Sequence, residues 1–185
     1  MFFKKIKFFL ILLLFYQTPL YSKSNSFDDF DSRNLSNYFS GIVAFGNKDN
    51  SSALNFFNST KILINNHDPY LKRYVYSLVL EEKVSQAINV IKQNKDKNNT
   101  DFFDAYLLLL IDSLKKDDLD QAYDYLLKAN EFAQQDRFDL AILESLRQYV
   151  YVFKEKKFLN DKKNLGKLSI ISNTFQRCYL EDKKT

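Results

Sequence analysis

The sequence predicts an all-α fold of antiparallel helix pairs stacked into an array. Three observations carry this prediction. The 185 residues include only three Gly and two Pro, too few for the turns of a β-sandwich or barrel. Apolar residues recur at spacings of three, four and seven, and no segment alternates as a strand does. Finally, Ala53, Ala87 and Ala122 recur at intervals of 34 and 35 residues, and Phe57, Ile91 and Leu126 each follow four residues later. A small residue lets the second helix of a pair approach the first, and the large one fills the groove a turn later.

Residues 1–22 read as a signal peptide. Lys4, Lys5 and Lys7 precede an apolar run from Phe8 to Tyr16, and Pro19 and Ser22 close the segment. The run is far shorter than the roughly 20 residues that span a bilayer. An exported, periplasmic location follows, the alternative being an uncleaved leader anchored to the inner membrane. Cleavage after Ser22 or after Ser24 fits, and no cysteine follows the run to take a lipid anchor.

Residues 23–33 are polar and acidic and read as a flexible lead-in. Leu35, Tyr38, Phe39 and Ile42 then carry a first helix, which Gly46 to Asn50 ends. Ser51 is placed to cap a second helix carrying Ala53, Leu54, Phe57 and Ile64. Asn65 to Asp68 breaks it, and Pro69 suits the first turn of a third helix, where its missing N–H costs nothing. Leu71, Tyr74, Val75 and Leu78 carry that helix, and Ala87, Ile88 and Ile91 the fourth. After a loop from Lys95 to Asn99, Thr100 is expected to cap a fifth helix containing Phe103, Tyr106, Leu107, Leu110 and Leu114. Asp117, Asp118 and Asp120 end it and start a sixth, with Ala122, Leu126 and Ala129. A seventh runs from Phe138 to Phe153. A Lys-rich break from Lys154 to Lys163 separates it from a last helix over Leu165 to Tyr179.

Charge and chemistry narrow the function. The chain has 27 basic and 23 acidic residues; setting aside the three leader lysines leaves 24 bases, a surplus of one. That balance argues against a nucleic-acid partner. His67 is the single histidine and Cys178 the single cysteine, 111 residues apart, which suits neither a catalytic pair nor a metal site. His67 is read as a loop residue and Cys178 as a small buried hydrophobe. Asp28, Asp29 and Asp31 lack the Gly and closing Glu of a calcium loop. The sequence therefore predicts no enzyme, no cofactor, no metal and no small-molecule substrate.

The 34-residue period, the paired helices and the recurring alanines resemble the tetratricopeptide repeat family, a helix–turn–helix unit. The resemblance covers three repeats over residues 34–136. The family's large first-helix residues match Leu71 and Tyr74 in the second unit and Tyr106 and Leu109 in the third; Asn37 and Ser40 replace them in the first. Its small eighth residue matches Gly41, with Val75 and Leu110 later, and its second small residue matches Ala129, less well Thr60, and not Asn94. The unit-closing proline is replaced by Asn65, Asn99 and Gln134. Residues 137–185 form a divergent fourth helical pair or a cap, with Lys156 where the small residue belongs. The segment from Tyr38 to Leu80 also resembles the start of exported repeat proteins of Gram-negative bacteria.

The resemblance implies a right-handed solenoid whose first helices line a concave groove that holds a protein or peptide. By position that groove shows Tyr38, Ile42, Phe45, Lys72, Tyr76, Val79, Leu107, Ile111 and Leu114, with Tyr38, Tyr76 and Ile111 read as equivalent places. The face is mostly apolar and aromatic, which suits an extended or helical apolar peptide rather than a carboxylate clamp. The expected function is thus a protein-interaction scaffold of the cell envelope. The alternative is a structural subunit that stacks end to end in a homo-oligomer without using the groove. Mass spectrometry of protein from the native host should find a mature N-terminus near Lys23 or Asn25, and an intact Met1 on soluble cytoplasmic protein would overturn the export reading.

Overall fold

The computed structural model describes residues 31–95, 100–133, 137–164 and 166–182. The leader, the lead-in up to residue 30, most of the loop after Lys95 and the position of Gln134 lie outside these. Among the described residues the chain is entirely helical. The α-helices are α1 (Ser32–Gly46), α2 (Asn50–Ser59), α3 (Asp68–Leu80), α4 (Val84–Gln93), α5 (Phe103–Lys115), α6 (Leu119–Phe132), α7 (Arg137–Glu155) and α8 (Lys167–Asp182), and a 3₁₀ turn covers Lys61–Asn65. Each helix packs against the next in sequence, so contacts are mainly between neighbours.

The first three pairs share one turn. Lys48, Glu82 and Asp117 follow α1, α3 and α5 with φ of 62°, 60° and 58°. In each turn the next residue donates its N–H to a carbonyl five residues back: Asp49 to Ala44 at 3.0 Å, Lys83 to Leu78 at 2.8 Å and Asp118 to Ser113 at 3.0 Å. This is a Schellman-type closure, which satisfies carbonyls left over at a helix end. None of the three is glycine, so each carries a left-handed penalty of about 1–2 kcal/mol. The second helix starts at once. The carboxylates of Asp49 and Asp118 accept from the N–H of Ser52 and Gln121 at 3.1 Å. Ser51 is therefore not the cap of α2: the cap falls on the residue that immediately follows the left-handed one.

Five residues after each left-handed residue come Ala53, Ala87 and Ala122, all with no exposed surface. Phe57, Ile91 and Leu126 are buried one turn on. Leu71, Tyr74, Val75, Tyr106, Leu109 and Leu110 are buried on the first helices. In the first pair the small residue is Gly41, where a Cβ would lie 2.8 Å from the Phe57 ring. Phe57 is so closely held there that a glycine is required on α1. At the second small position Thr60 and Asn94 are buried like Ala129. Their polar atoms turn back onto their own helices: Thr60 Oγ1 donates to the Phe57 carbonyl at 3.2 Å, and Asn94 Nδ2 to that of Val90 at 2.8 Å. Local backbone acceptors make these polar residues tolerable where the repeat pattern predicts a small one.

Other boundaries differ from expectation. Ser32 and Arg33 belong to α1 rather than to the lead-in. The second helix stops at Ser59 and tightens into the 3₁₀ turn that holds Ile64. Thr100 does not cap α5, because Phe102 occupies the extended cap position and Thr100 Oγ1 bonds the Lys95 carbonyl at 3.3 Å. Pro69 does lie in the first turn of α3. The period breaks at α7, whose 19 residues reach Glu155. Lys156 takes the left-handed place (φ 54°), and no helix follows until Lys167.

Replacing Ala87 or Ala122 by Leu should cost about 1–3 kcal/mol by overpacking, whereas Leu at exposed Ser59 should cost much less. Gly41→Ala should also destabilise, and Gly46→Ala, which meets nothing within 4 Å, should not. Equal melting temperatures across the set would contradict this packing.

Candidate functional site

Counted back from the left-handed residue, the nine groove positions fall into three rows. Tyr38, Lys72 and Leu107 stand ten residues before it, Ile42, Tyr76 and Ile111 six before, and Phe45, Val79 and Leu114 three before. The equivalents of Tyr76 and Ile111 are thus completed by Ile42, not by Tyr38. Seven of the nine are half-buried, Ile111 is 52% exposed, and Tyr38 is 3% exposed.

Tyr38 is therefore part of the core and not open to a ligand. Its ring packs at 4.9 Å edge-on to His67 and at about 6 Å from Phe57 and Tyr70. His67 Nε2 lies 2.9 Å from its hydroxyl, and Arg73 donates to the same oxygen. His67 does sit in the turn before α3, but its ring is half-buried, because α1 and α3 close over it.

Of the other eight positions, Lys72 and Tyr76 line a cleft of about 360 Å³ between α3, the start of α5, the end of α6 and the start of α7. Tyr76 Oη donates to Asp104 Oδ2 at 2.5 Å, and Lys72 Nζ stands 3.7 Å from the same oxygen. The ammonium also lies over the rings of Tyr76 (5.5 Å) and Phe102 (5.7 Å). Burial first, then the bond to Asp104 and the charges of Asp104 and Asp139, hold the Tyr76 phenol above its ordinary pKa, so it stays a neutral donor. Asp101, Asp104 and Asp139 line this cleft against one lysine, beside Phe102 and Phe132. Sequence spacing found Lys72 and Tyr76. It missed the carboxylates, because they stand at helix starts outside the repeat rows.

A second cleft, also about 360 Å³, lies between α6 and α7, lined by Tyr123, Leu126, Leu127, Leu140 and Leu143 and floored by Glu144 and Arg147. Glu144 is buried. It accepts from Arg147 Nε (2.9 Å) and Nη2 (3.1 Å), from Gln148 Nε2 (2.8 Å) and from the Lys163 backbone N–H (2.9 Å). Arg147 also donates to the Asp161 carbonyl. One carboxylate thus fastens the segment after α7 to α7 itself.

Cys178 is exposed, contrary to the expectation of a buried hydrophobe, because α8 turns its other side towards α7. Among the described residues no group of three or more His, Cys, Asp or Glu is placed to hold a metal ion, and no helix is long and apolar enough to cross a membrane. Two apolar surfaces outside the groove were not anticipated: Phe39 and Val43 on α1, and Leu168, Ile171 and Phe175 on α8. No family model matches the chain, and no curated protein or solved structure matches it significantly.

Glu144 provides a pH test. Burial pushes its carboxyl up, but the bonds from Arg147, Gln148 and Lys163 outweigh that and leave its pKa below the ordinary 4.5. A lowered pKa stabilises the fold above the ordinary value, and that contribution is lost as pH falls through the folded value. Glu144→Gln should cost about 1–3 kcal/mol at neutral pH. It should also flatten the wild-type loss of stability below pH 4.5, followed by urea unfolding from pH 6 to pH 3.

Proposed function

We propose that this chain is an exported, non-enzymatic helical-repeat protein of the tetratricopeptide type, whose first-helix face holds a peptide or protein of the cell envelope. The observation that carries the reading is the matched half-open row Ile42, Tyr76 and Ile111. It is flanked on the same helices by fully buried Leu71, Val75 and Leu110. Ile42 packs on the core with part of its surface, and an open remainder recurs at Tyr76 and Ile111 on the next two first helices, which offers a ligand one equivalent place on each. Tyr76 adds a rigid ring with a fixed hydroxyl, the kind of group that anchors interfaces.

The cleft beside Tyr76 refines the ligand. Phe102 and Phe132 at its edge favour an apolar or aromatic side chain of the ligand. The recurring turn and the buried alanines support the repeat reading, and residues 1–22 support export.

Affinity capture from envelope extracts of the native host, with the full chain as bait, tests this. Tyr76→Ala and Ile111→Ala should each weaken capture by about 1–3 kcal/mol while circular dichroism stays helical. Asn89→Ala, on the exposed side of α4, should leave it unchanged. Folded Tyr76 and Ile111 variants that keep the partner at full strength would rule the groove out.

A further inference from the structure

Helix α8 turns a largely polar side towards α7 and an apolar side outward. The middle of α8 faces α7 with polar residues, Ser172 at 3% and Gln176 at 1% exposed, while Tyr179 on Phe153 (4.8 Å between rings) and buried Leu180 supply the apolar contact at its C-terminal end. They join a buried hydrogen-bond chain in which Gln176 Nε2 donates to Ser172 Oγ at 2.8 Å and to Gln148 Oε1 at 3.3 Å, and Gln148 continues to Glu144. The outward side carries Leu168, Ile171, Phe175 and Cys178, with Phe175 62% exposed, and Ile170 (68% exposed) stands beside this row. The spacing along the row is three, four, three, which are the a and d places of a coiled-coil heptad. A helix that buries Ser172 and Gln176 and exposes such a seam leaves the seam without an apolar partner on α7, and the seam spacing fits another helix.

We infer that α8 pairs with α8 of a second copy, antiparallel about a two-fold axis. The flanking charges select both the partner and the direction. On one side of the seam the heptad flank is Ser172 and Tyr179, which are buried or half-buried. Only the other flank is free, and it carries Lys167, Thr174 and Glu181, all exposed. In a parallel pair this flank would meet the occupied one. In an antiparallel pair it meets its own copy, so Lys167 of one chain stands beside Glu181 of the other, twice. The register follows. Leu168 stacks on Cys178 of the second copy and Ile171 on Phe175, so each of the four seam residues finds a mate. A surface complementary to itself when reversed is the signature of an isologous dimer. The inference is independent of the groove, which lies on other helices.

The test uses the full chain. Sedimentation should show a mass that doubles with concentration in the micromolar range. Phe175→Asp, at an exposed position, should weaken the dimer at least about tenfold without loss of helix. Lys167→Glu and Glu181→Lys should each weaken association, and the double exchange should restore it. Leu168→Cys should form a disulfide-linked dimer with native Cys178 under mild oxidation, whereas the wild-type chain should not, because the two Cys178 stand far apart along the antiparallel pair. A wild-type chain that stays monomeric to high micromolar concentration would overturn the inference. So would a Cys178–Cys178 crosslink in the wild type, or a charge exchange that fails to restore association.

Discussion

The left-handed residue between the two helices of a pair sets what the rest of the chain can do. It reverses the chain in three residues and lets the N–H beyond it close on the first helix at 2.8–3.0 Å. Because it is short, the second helix begins at once and meets the first within five residues. That contact admits nothing larger than Ala53, Ala87 or Ala122. The strain at Lys48, Glu82 and Asp117 is held by this packing, which is why residues other than glycine can stand there.

From that constraint the rest of the pair follows. Once the alanine fixes the helix separation, the large residue one turn later has a defined socket. In the first pair the Phe57 socket is completed by the absence of a side chain at Gly41. Tyr70 then packs at right angles on Phe57, Tyr38 lies against both, and His67 and Arg73 satisfy the Tyr38 hydroxyl. Because one side of each first helix is taken up by these contacts, the Tyr76 row is left towards solvent.

The fourth unit departs for a physical reason. α7 runs longer than its predecessors, and Lys156 turns left-handed with no alanine to receive a closely packed helix. The chain instead crosses back along α7, where Glu144 and Arg147 hold it, and α8 docks through Ser172 and Gln176 and through Tyr179 on Phe153. A polar contact of this kind fixes orientation through hydrogen bonds rather than through buried apolar area. It leaves Leu168, Ile170, Ile171 and Phe175 of α8 on the outside.

How much of this was legible varies with the range of the cause. The helices, their pairing and the alanine period are local or periodic properties, and the sequence states them through Ala53, Ala87 and Ala122 and through the spacing of their large partners. Local capping is less legible: the sequence offers Asp117, Asp118 and Asp120 together where Asp118 is the cap, Ser51 where Asp49 is, and Thr100 where Phe102 is, since the cap depends on where the preceding turn leaves the chain. Of the groove, the period located Tyr76 and Ile111 on first helices. Only the folded chain shows that Tyr38 is closed off by His67 and Tyr70, or that Asp104 bonds Tyr76. The sidedness of α8 was likewise beyond sequence reasoning. Its three-four-three seam is visible in the residues, but a seam normally faces the chain's own core. Here Gln148 and Glu144 make the α7 side polar, so tertiary packing alone decides that the seam points outward.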